Sequence, residues 1–172
     1  AGNEGTSPWH YISSPANADS AFTIASVDVN GNPAASSGWG LATDTRVKPN
    51  VAAVGQGAKF INTSGVLSSG NGTSFATPSL AGMATCLWQA FPNKTNWEIK
   101  TAIEKSASQY LTPDKKIGYG IPNFELAFQI LNTPINILEN IISIYPNPFH
   151  NVINIEQNSN TIIKNITVSN TL

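Results

Sequence analysis

The spacing of hydrophobic positions changes twice along this chain, and the changes divide it. From Thr23 to Val29 the run is short and β-branched, and Asn30-Gly31-Asn32-Pro33 stops it, which predicts a strand and then a turn. Val51-Ala52-Ala53-Val54, ahead of Gly55, is apolar throughout rather than alternating, as in a short strand buried on both faces. Lys59 to Asn62 reads as a further strand, and Ser68-Ser69-Gly70-Asn71-Gly72-Thr73 as pure turn. The period then lengthens. Leu80, Met83, Ala84, Leu87, Trp88 and Phe91 recur every three or four residues, predicting an amphipathic helix with a wide buried stripe. Pro78 suits the start of that helix, where backbone N–H groups lack partners, and Pro92 ends it. Thr95 and Glu98 have capping-box spacing for a second helix, with Trp97, Ile99 and Ile103 as apolar contacts. A third helix runs from Asn123 to Leu131 behind Pro122. Short strands mixed with helices indicate a layered α/β domain.

After Asn132 charge nearly vanishes, Asn becomes abundant and alternation takes over. Val152, Ile153 and Ile155, then Ile162, Ile163, Ile166 and Val168, stand among polar residues, which predicts strands on either side of Pro146-Asn147-Pro148. The chain therefore divides into residues 1–131 and residues 132–172, the second being a linker and the start of an all-β sandwich.

Composition narrows the function. Charged residues are 11% of the chain, against about 25% in ordinary soluble domains, while the hydrophobic share of 41% is near normal. Asn, Ser, Thr and Gly fill the difference, which suits a secreted, loop-rich protein. A net charge of −1 argues against nucleic-acid binding, which needs a basic surface. The single cysteine, Cys86, excludes an internal disulfide and a cysteine zinc site and reads as a small buried hydrophobe. No apolar run reaches the roughly 18 residues that a membrane span needs. The opening Ala1-Gly2-Asn3-Glu4-Gly5 has no initiator Met and no signal-peptide pattern, and reads as a cut through a longer chain.

The chemistry concentrates in Gly72-Thr73-Ser74-Phe75-Ala76-Thr77-Pro78. A glycine turn delivers Ser74 to the first turn of an apolar helix, where unpaired N–H groups carry partial positive charge. That is what an acyl-transfer nucleophile needs beside it, because an oxyanion forms there. A serine at a helix start also serves as a simple cap.

The longer string, with Ala81-Gly82 after it, closely resembles the nucleophile signature of the subtilisin-like serine peptidases, peptidase family S8. Ala1-Gly2-Asn3-Glu4-Gly5 is similar to the segment holding that family's oxyanion asparagine. Lys48-Pro49-Asn50-Val51-Ala52-Ala53-Val54-Gly55 resembles its Lys-Pro-Asp-Val-Ala-Ala-Pro-Gly stretch, departing at Asn50 and Val54. Gly118-Tyr119-Gly120, ahead of the third helix, resembles its closing segment. Over residues 1–131 the resemblance implies the C-terminal part of a three-layer parallel sheet with helices on both faces. It also implies a secreted or cell-surface endopeptidase acting on protein or peptide. Ser74 would be the nucleophile, Asn3 the oxyanion donor, and Gly2, Glu4 and Gly5 neighbours of the substrate. The family order of Asp, His and then Ser puts the other two catalytic residues ahead of Ala1. The fragment alone would then be inactive and, with a sheet edge unpaired, poorly soluble.

Other readings stay open. The parent protein could be a non-catalytic pseudoprotease or surface binding protein. The order Ser74, Asp114, His150 is that of α/β-hydrolase esterases, although their elbow has Gly where this chain has Ala76. His10 and His150 read as packing and turn residues. Asp28, Asp44 and Asp114 lack calcium-loop spacing, so no cofactor is evident, while the family resemblance leaves calcium possible. Four Asn-x-Ser/Thr sequons, at Asn62, Asn71, Asn93 and Asn165, read as coincidence in so Asn-rich a chain. Ile144-Tyr145-Pro146-Asn147-Pro148-Phe149 resembles the start of the C-terminal sorting domain on type IX secretion cargo, implying secretion machinery as a partner.

Overall fold

Two parallel strands organise residues 1–133 of the computed structural model, which describes residues 1–42, 45–133, 142–145 and 154–157. Strand β1 (Ile24–Val27) pairs with β2 (Val51–Val54), Ile24 opposite Val51 and Val27 opposite Val54. Successive side chains in a strand point to opposite faces. Ile24 and Val51 pack on Ala76 and Leu80 of helix α1 (Thr73–Ala90). Ala25, Val27 and Ala52 close instead on Ile117, which lies in a turn. Among the described residues the parallel sheet thus has two strands and a helix on one face, where the sequence predicts helices on both. Val54, expected to be buried, is exposed at the end of β2.

Strands β3 (Ala58–Ile61) and β4 (Leu67–Gly70) form an antiparallel hairpin between β2 and α1. This corrects the reading of Ser68-Ser69-Gly70 as turn. Their local chemistry favours a turn, but pairing with Ala58, Lys59 and Phe60 wins, as cross-strand context often does. Asn62 makes the real turn. Its Oδ1 accepts the N–H groups of Ser64 and Val66, both at 3.0 Å, and its Nδ2 donates to Ser68 Oγ.

Helix α2 (Asn96–Lys105) carries the predicted capping box in full. Glu98 N–H donates to Thr95 Oγ1 at 3.2 Å, and Thr95 N–H donates to Glu98 Oε2 at 2.9 Å. Helix α3 (Phe124–Asn132) follows Asn123, whose Oδ1 caps Leu126 N–H. Leu87, Ile99, Ile103 and Ala127 form the core between the three helices.

The predicted helix faces are narrower than their sequence pattern. On α1, Leu80 and Leu87 are buried but Met83, Trp88 and Cys86, which reads as buried, are exposed, because β1, β2, α2 and α3 cover only part of the stripe. Trp97 is exposed too. It lies off the Ile99–Ile103 face, and the Lys100 ammonium sits 4.4 Å from its ring centroid. Pro78 is one turn deeper than expected, since α1 begins at Thr73, and it cannot donate to the Ser74 carbonyl.

The contact pattern separates Ala1–Thr133 from Pro134–Leu172. In the second unit, β5 (Ile142–Tyr145) pairs antiparallel with β6 (Asn154–Gln157), Ile144 opposite Ile155. Asp44, residues 146–153 with His150, and residues 158–172 with Asn165 lie outside the described residues, and so does any further strand of a sandwich.

Candidate active site

Backbone hydrogen bonds bring the start of α1 to the end of the parallel pair. Gly55 N–H donates to Val27 O at 3.0 Å, and Gly72 N–H donates to Gly55 O at 2.8 Å. The β3–β4 hairpin therefore leaves and returns to the carboxyl ends of β1 and β2, where ligand sites in open α/β sheets lie. Gly72 has φ 143°, a region that disfavours side chains, and a Cβ there would meet Ser74 Oγ at 3.2 Å. The same Cβ would stand 3.5 Å from both amide atoms of Asn3, so Gly72 separates Asn3 from Ser74.

Asn3 caps this helix from far away in sequence. Gly72, at the N-cap position, offers no side chain. Asn3 Oδ1 replaces it, accepting Thr73 N–H at 2.9 Å and Thr73 Oγ1 at 3.2 Å. Two donors on Oδ1 orient the amide, and Nδ2 is left with no acceptor among the described residues. Ser74, second residue of α1, is not a cap. Its hydroxyl is exposed and makes no hydrogen bond among the described residues, and its N–H has no acceptor there. An unengaged hydroxyl thus lies beside two unengaged N–H donors, Ser74 N–H and Asn3 Nδ2. Such a group can attack a carbonyl and stabilise the oxyanion that forms.

Gly2 and Glu4 open onto a cavity of about 520 Å³ next to Asn3. Trp9, Tyr11 and the Ser13–Ala16 segment complete its wall. Trp9 is held by a 3.2 Å bond from Nε1 to Ser13 Oγ and by edge contact with Tyr11. Gly5 does not line the cavity. Its missing side chain accommodates the carbonyls of Ala35 and Ser37, and its N–H donates to Ser36 O at 2.9 Å. The aromatic wall is absent from the sequence reading, and its only signal was the Trp9-His10-Tyr11 cluster soon after Asn3. A second cavity of about 540 Å³ between α1 and α2, lined by Ala84, Trp88, Trp97 and Ile103, contains neither Asn3 nor Ser74.

The remaining candidates are engaged elsewhere. His10 stacks on Trp39 with ring centroids 3.9 Å apart and forms no hydrogen bond to Ser74 among the described residues. Asp114 Oδ1 accepts Lys116 N–H and Ile117 N–H, both at 2.8 Å, closing a turn. Asp28 accepts from Asn30 and Asn32, and these bonds, led by the Asn32 side chain, lower its pKa. Among the described residues no three His, Cys, Asp or Glu side chains converge as metal ligands. No helix of the described residues is long and apolar enough to cross a membrane.

Comparison with known proteins identifies the family. The family model of peptidase S8, the subtilase family, matches residues 1–120. Subtilisin BL of Lederbergia lenta is 32% identical over 127 residues, covering 74% of this chain and 44% of that protein. The thermostable alkaline protease of Halalkalibacterium halodurans is 31% identical over 122 residues, covering 70% of this chain and 31% of that protein. Among solved structures, the Clostridium perfringens CspB protease superposes with a TM-score of 0.62 at 22% identity, covering 70% of this chain and 29% of that one. The prenylagaramide maturation protease PagA does so at 0.57 and 27%, covering 69% and 45%. The chain belongs to the subtilase family of serine peptidases. It spans under half the length of the curated relatives it matches.

Proposed function

We propose that this chain is part of a secreted subtilisin-like endopeptidase that cleaves protein substrates through an acyl-enzyme on Ser74. The reading is carried by the unengaged Ser74 hydroxyl standing beside two unengaged N–H donors. Ser74 Oγ attacks the scissile carbonyl carbon, and its proton passes to a general base. Ser74 N–H and Asn3 Nδ2 receive the oxyanion. The C–N bond then breaks as the leaving amine takes the proton, and water hydrolyses the ester in a second round. The cavity beside Gly2 and Glu4 receives the side chain preceding the cut, and Gly5 seats that segment on residues 35–37.

The general base and its carboxylate partner come from sequence on the N-terminal side of Ala1. The Ile144-Tyr145-Pro146-Asn147-Pro148-Phe149 string supports export by a type IX pathway, and low charge supports life outside the cell. The coding sequence ahead of Ala1 should contain an Asp-Ser/Thr-Gly segment and a later His-Gly-Thr segment. The full-length protein should hydrolyse casein, Ser74→Ala should not, and residues 1–172 alone should be inert. A full-length protein without the His segment and without turnover would be a pseudoprotease. Hydrolysis by residues 1–172 that Ser74→Ala abolishes would revive the Ser74, Asp114, His150 order.

A further inference from the structure

Lys48 is buried, with 3% of its surface exposed. Its ammonium donates to the Ala21 carbonyl, to Thr23 Oγ1 at 3.2 Å and to Asn50 Oδ1 at 3.0 Å. Three donors meet three acceptors, which satisfies the group fully. The network continues in both directions. Thr23 Oγ1 donates to the Ala16 carbonyl at 2.6 Å, and Ala16 belongs to the cavity wall beside Asn3. Asn50 Oδ1 also accepts Thr23 N–H at 2.8 Å, while its Nδ2 donates to Glu104 Oε1 of α2 at 2.8 Å. An unbroken chain of hydrogen bonds thus runs from α2 through Asn50, Lys48 and Thr23 to the cavity wall.

Phe22 packs on the core, and the Thr23 carbonyl accepts Asn50 N–H at 2.8 Å, so the end of the 13–23 segment is fixed independently; the 13–21 stretch ahead of it has few other buried ties. Its own backbone bonds, such as Asn17 N–H to Ser13 O and Ala18 N–H to Pro15 O, stay within it. Arg46 reaches Asp19 and Asn17 O, each at 3.2 Å, but that ion pair is exposed, and such pairs contribute little. Charge-assisted bonds from a buried cation are stronger, and deleting the cation strands its acceptors. Asn50 is suited to this position because one side chain both accepts and donates. A carboxylate there could not donate to Glu104 and would repel it.

We propose that Lys48 is a positioning residue whose ammonium holds the 13–21 stretch, and with it the substrate-facing wall, against Thr23, β2 and α2. The substrate-facing part rests on the peptidase reading above; the tether itself does not. The test uses the full-length protein, Lys48→Met and the milder Thr23→Val, which keeps the charge but removes the hydroxyl link to Ala16. Two peptides differing only in Phe or Ala before the cut are compared, with hydrogen exchange and fluorophosphonate labelling of Ser74 alongside.

For the Phe peptide, KM should rise about tenfold in Lys48→Met with kcat within about twofold, the signature of lost binding rather than lost chemistry. The Ala peptide and the labelling rate should hardly change, and residues 13–21 should exchange faster. Thr23→Val should shift the same quantities less, and it carries the test if Lys48→Met does not fold. Equal losses on both peptides and in labelling, or unchanged exchange in residues 13–21, would overturn the proposal. A wild-type Ser74 that resists labelling would overturn the peptidase reading and the substrate-facing part together, while exchange would still decide the tether.

Discussion

Asn3 Oδ1 accepts the backbone N–H of Thr73 at 2.9 Å, so the residue proposed to hold the oxyanion also caps the helix that carries Ser74. One end of the amide is spent on structure and the other is left for chemistry. The two roles can be separated by substitution. Asn3→Asp keeps the acceptor and places negative charge at a helix N-terminus, so thermal stability should hold or rise. It removes the Nδ2 donor, and kcat should fall about 10²–10³-fold, the loss known for this kind of donor in subtilisin itself. Asn3→Ala should lose the same activity and about 1 kcal/mol of stability with the cap. Thermal melts and steady-state kinetics on the full-length variants check both.

Ser74→Ala should be silent in stability. The hydroxyl is exposed and bonds to nothing among the described residues, so the melt should stay within about 0.5 kcal/mol of wild type. A larger loss would mean that Ser74 is a structural cap after all.

The capping box of α2 makes a pH prediction. Glu98 is held down to about 2, first by Thr95 N–H, then by the Lys94 and Thr95 side chains. The folded pKa lies below the ordinary 4.5, so the protein binds fewer protons at Glu98 when folded than when unfolded. The stabilisation is complete above pH 4.5 and disappears as pH falls towards 2. Glu98→Gln should flatten that part of the stability profile, and Thr95→Ala should cost about 1 kcal/mol at neutral pH.

Lys48 acts in the opposite range. Burial above all, then Lys100 and Arg46, lower it to about 8 against the partial compensation of Asp19 and Glu104. Between pH 8 and 10.5 the unfolded chain holds a proton that the folded one has released, so this group makes stability rise with pH. Denaturant melts across that window should show the rise in wild type and lose it in Lys48→Met.

Ser26 is fully buried and its Oγ has no partner among the described residues, while its N–H donates to Ser37 Oγ at 3.1 Å. Removing an unsatisfied hydroxyl should be neutral or stabilising by up to about 1 kcal/mol. Ser26→Ala should therefore melt no lower than wild type.

The parts of this fold that read directly from sequence are those fixed by neighbours. The Thr95–Glu98 box, the helix behind Pro122 and the short apolar β2 each need only a few adjacent residues. Strand β4 did not read because Ser68, Ser69 and Gly70 resemble a turn until Ala58, Lys59 and Phe60 arrive across the hairpin. The exposure of Trp88 and Trp97 was equally hidden, since periodicity gives a face but not what covers it. At the candidate site, the motif marked Ser74 and Asn3 by resemblance. The bond from Thr73 to Asn3 spans 70 residues and has no local signature. The Trp9 wall and the Lys48 network likewise depend on which loops meet, and no spacing rule announces that.

The most direct measurement is fluorophosphonate labelling of the full-length protein, with the modified peptide identified by mass spectrometry. One phosphonylated residue, Ser74, is expected, with labelling lost in Ser74→Ala and strongly slowed in Asn3→Asp. A protein that remains unlabelled, or carries the label on another residue while Ser74→Ala retains peptidase activity, would contradict the role given to Ser74.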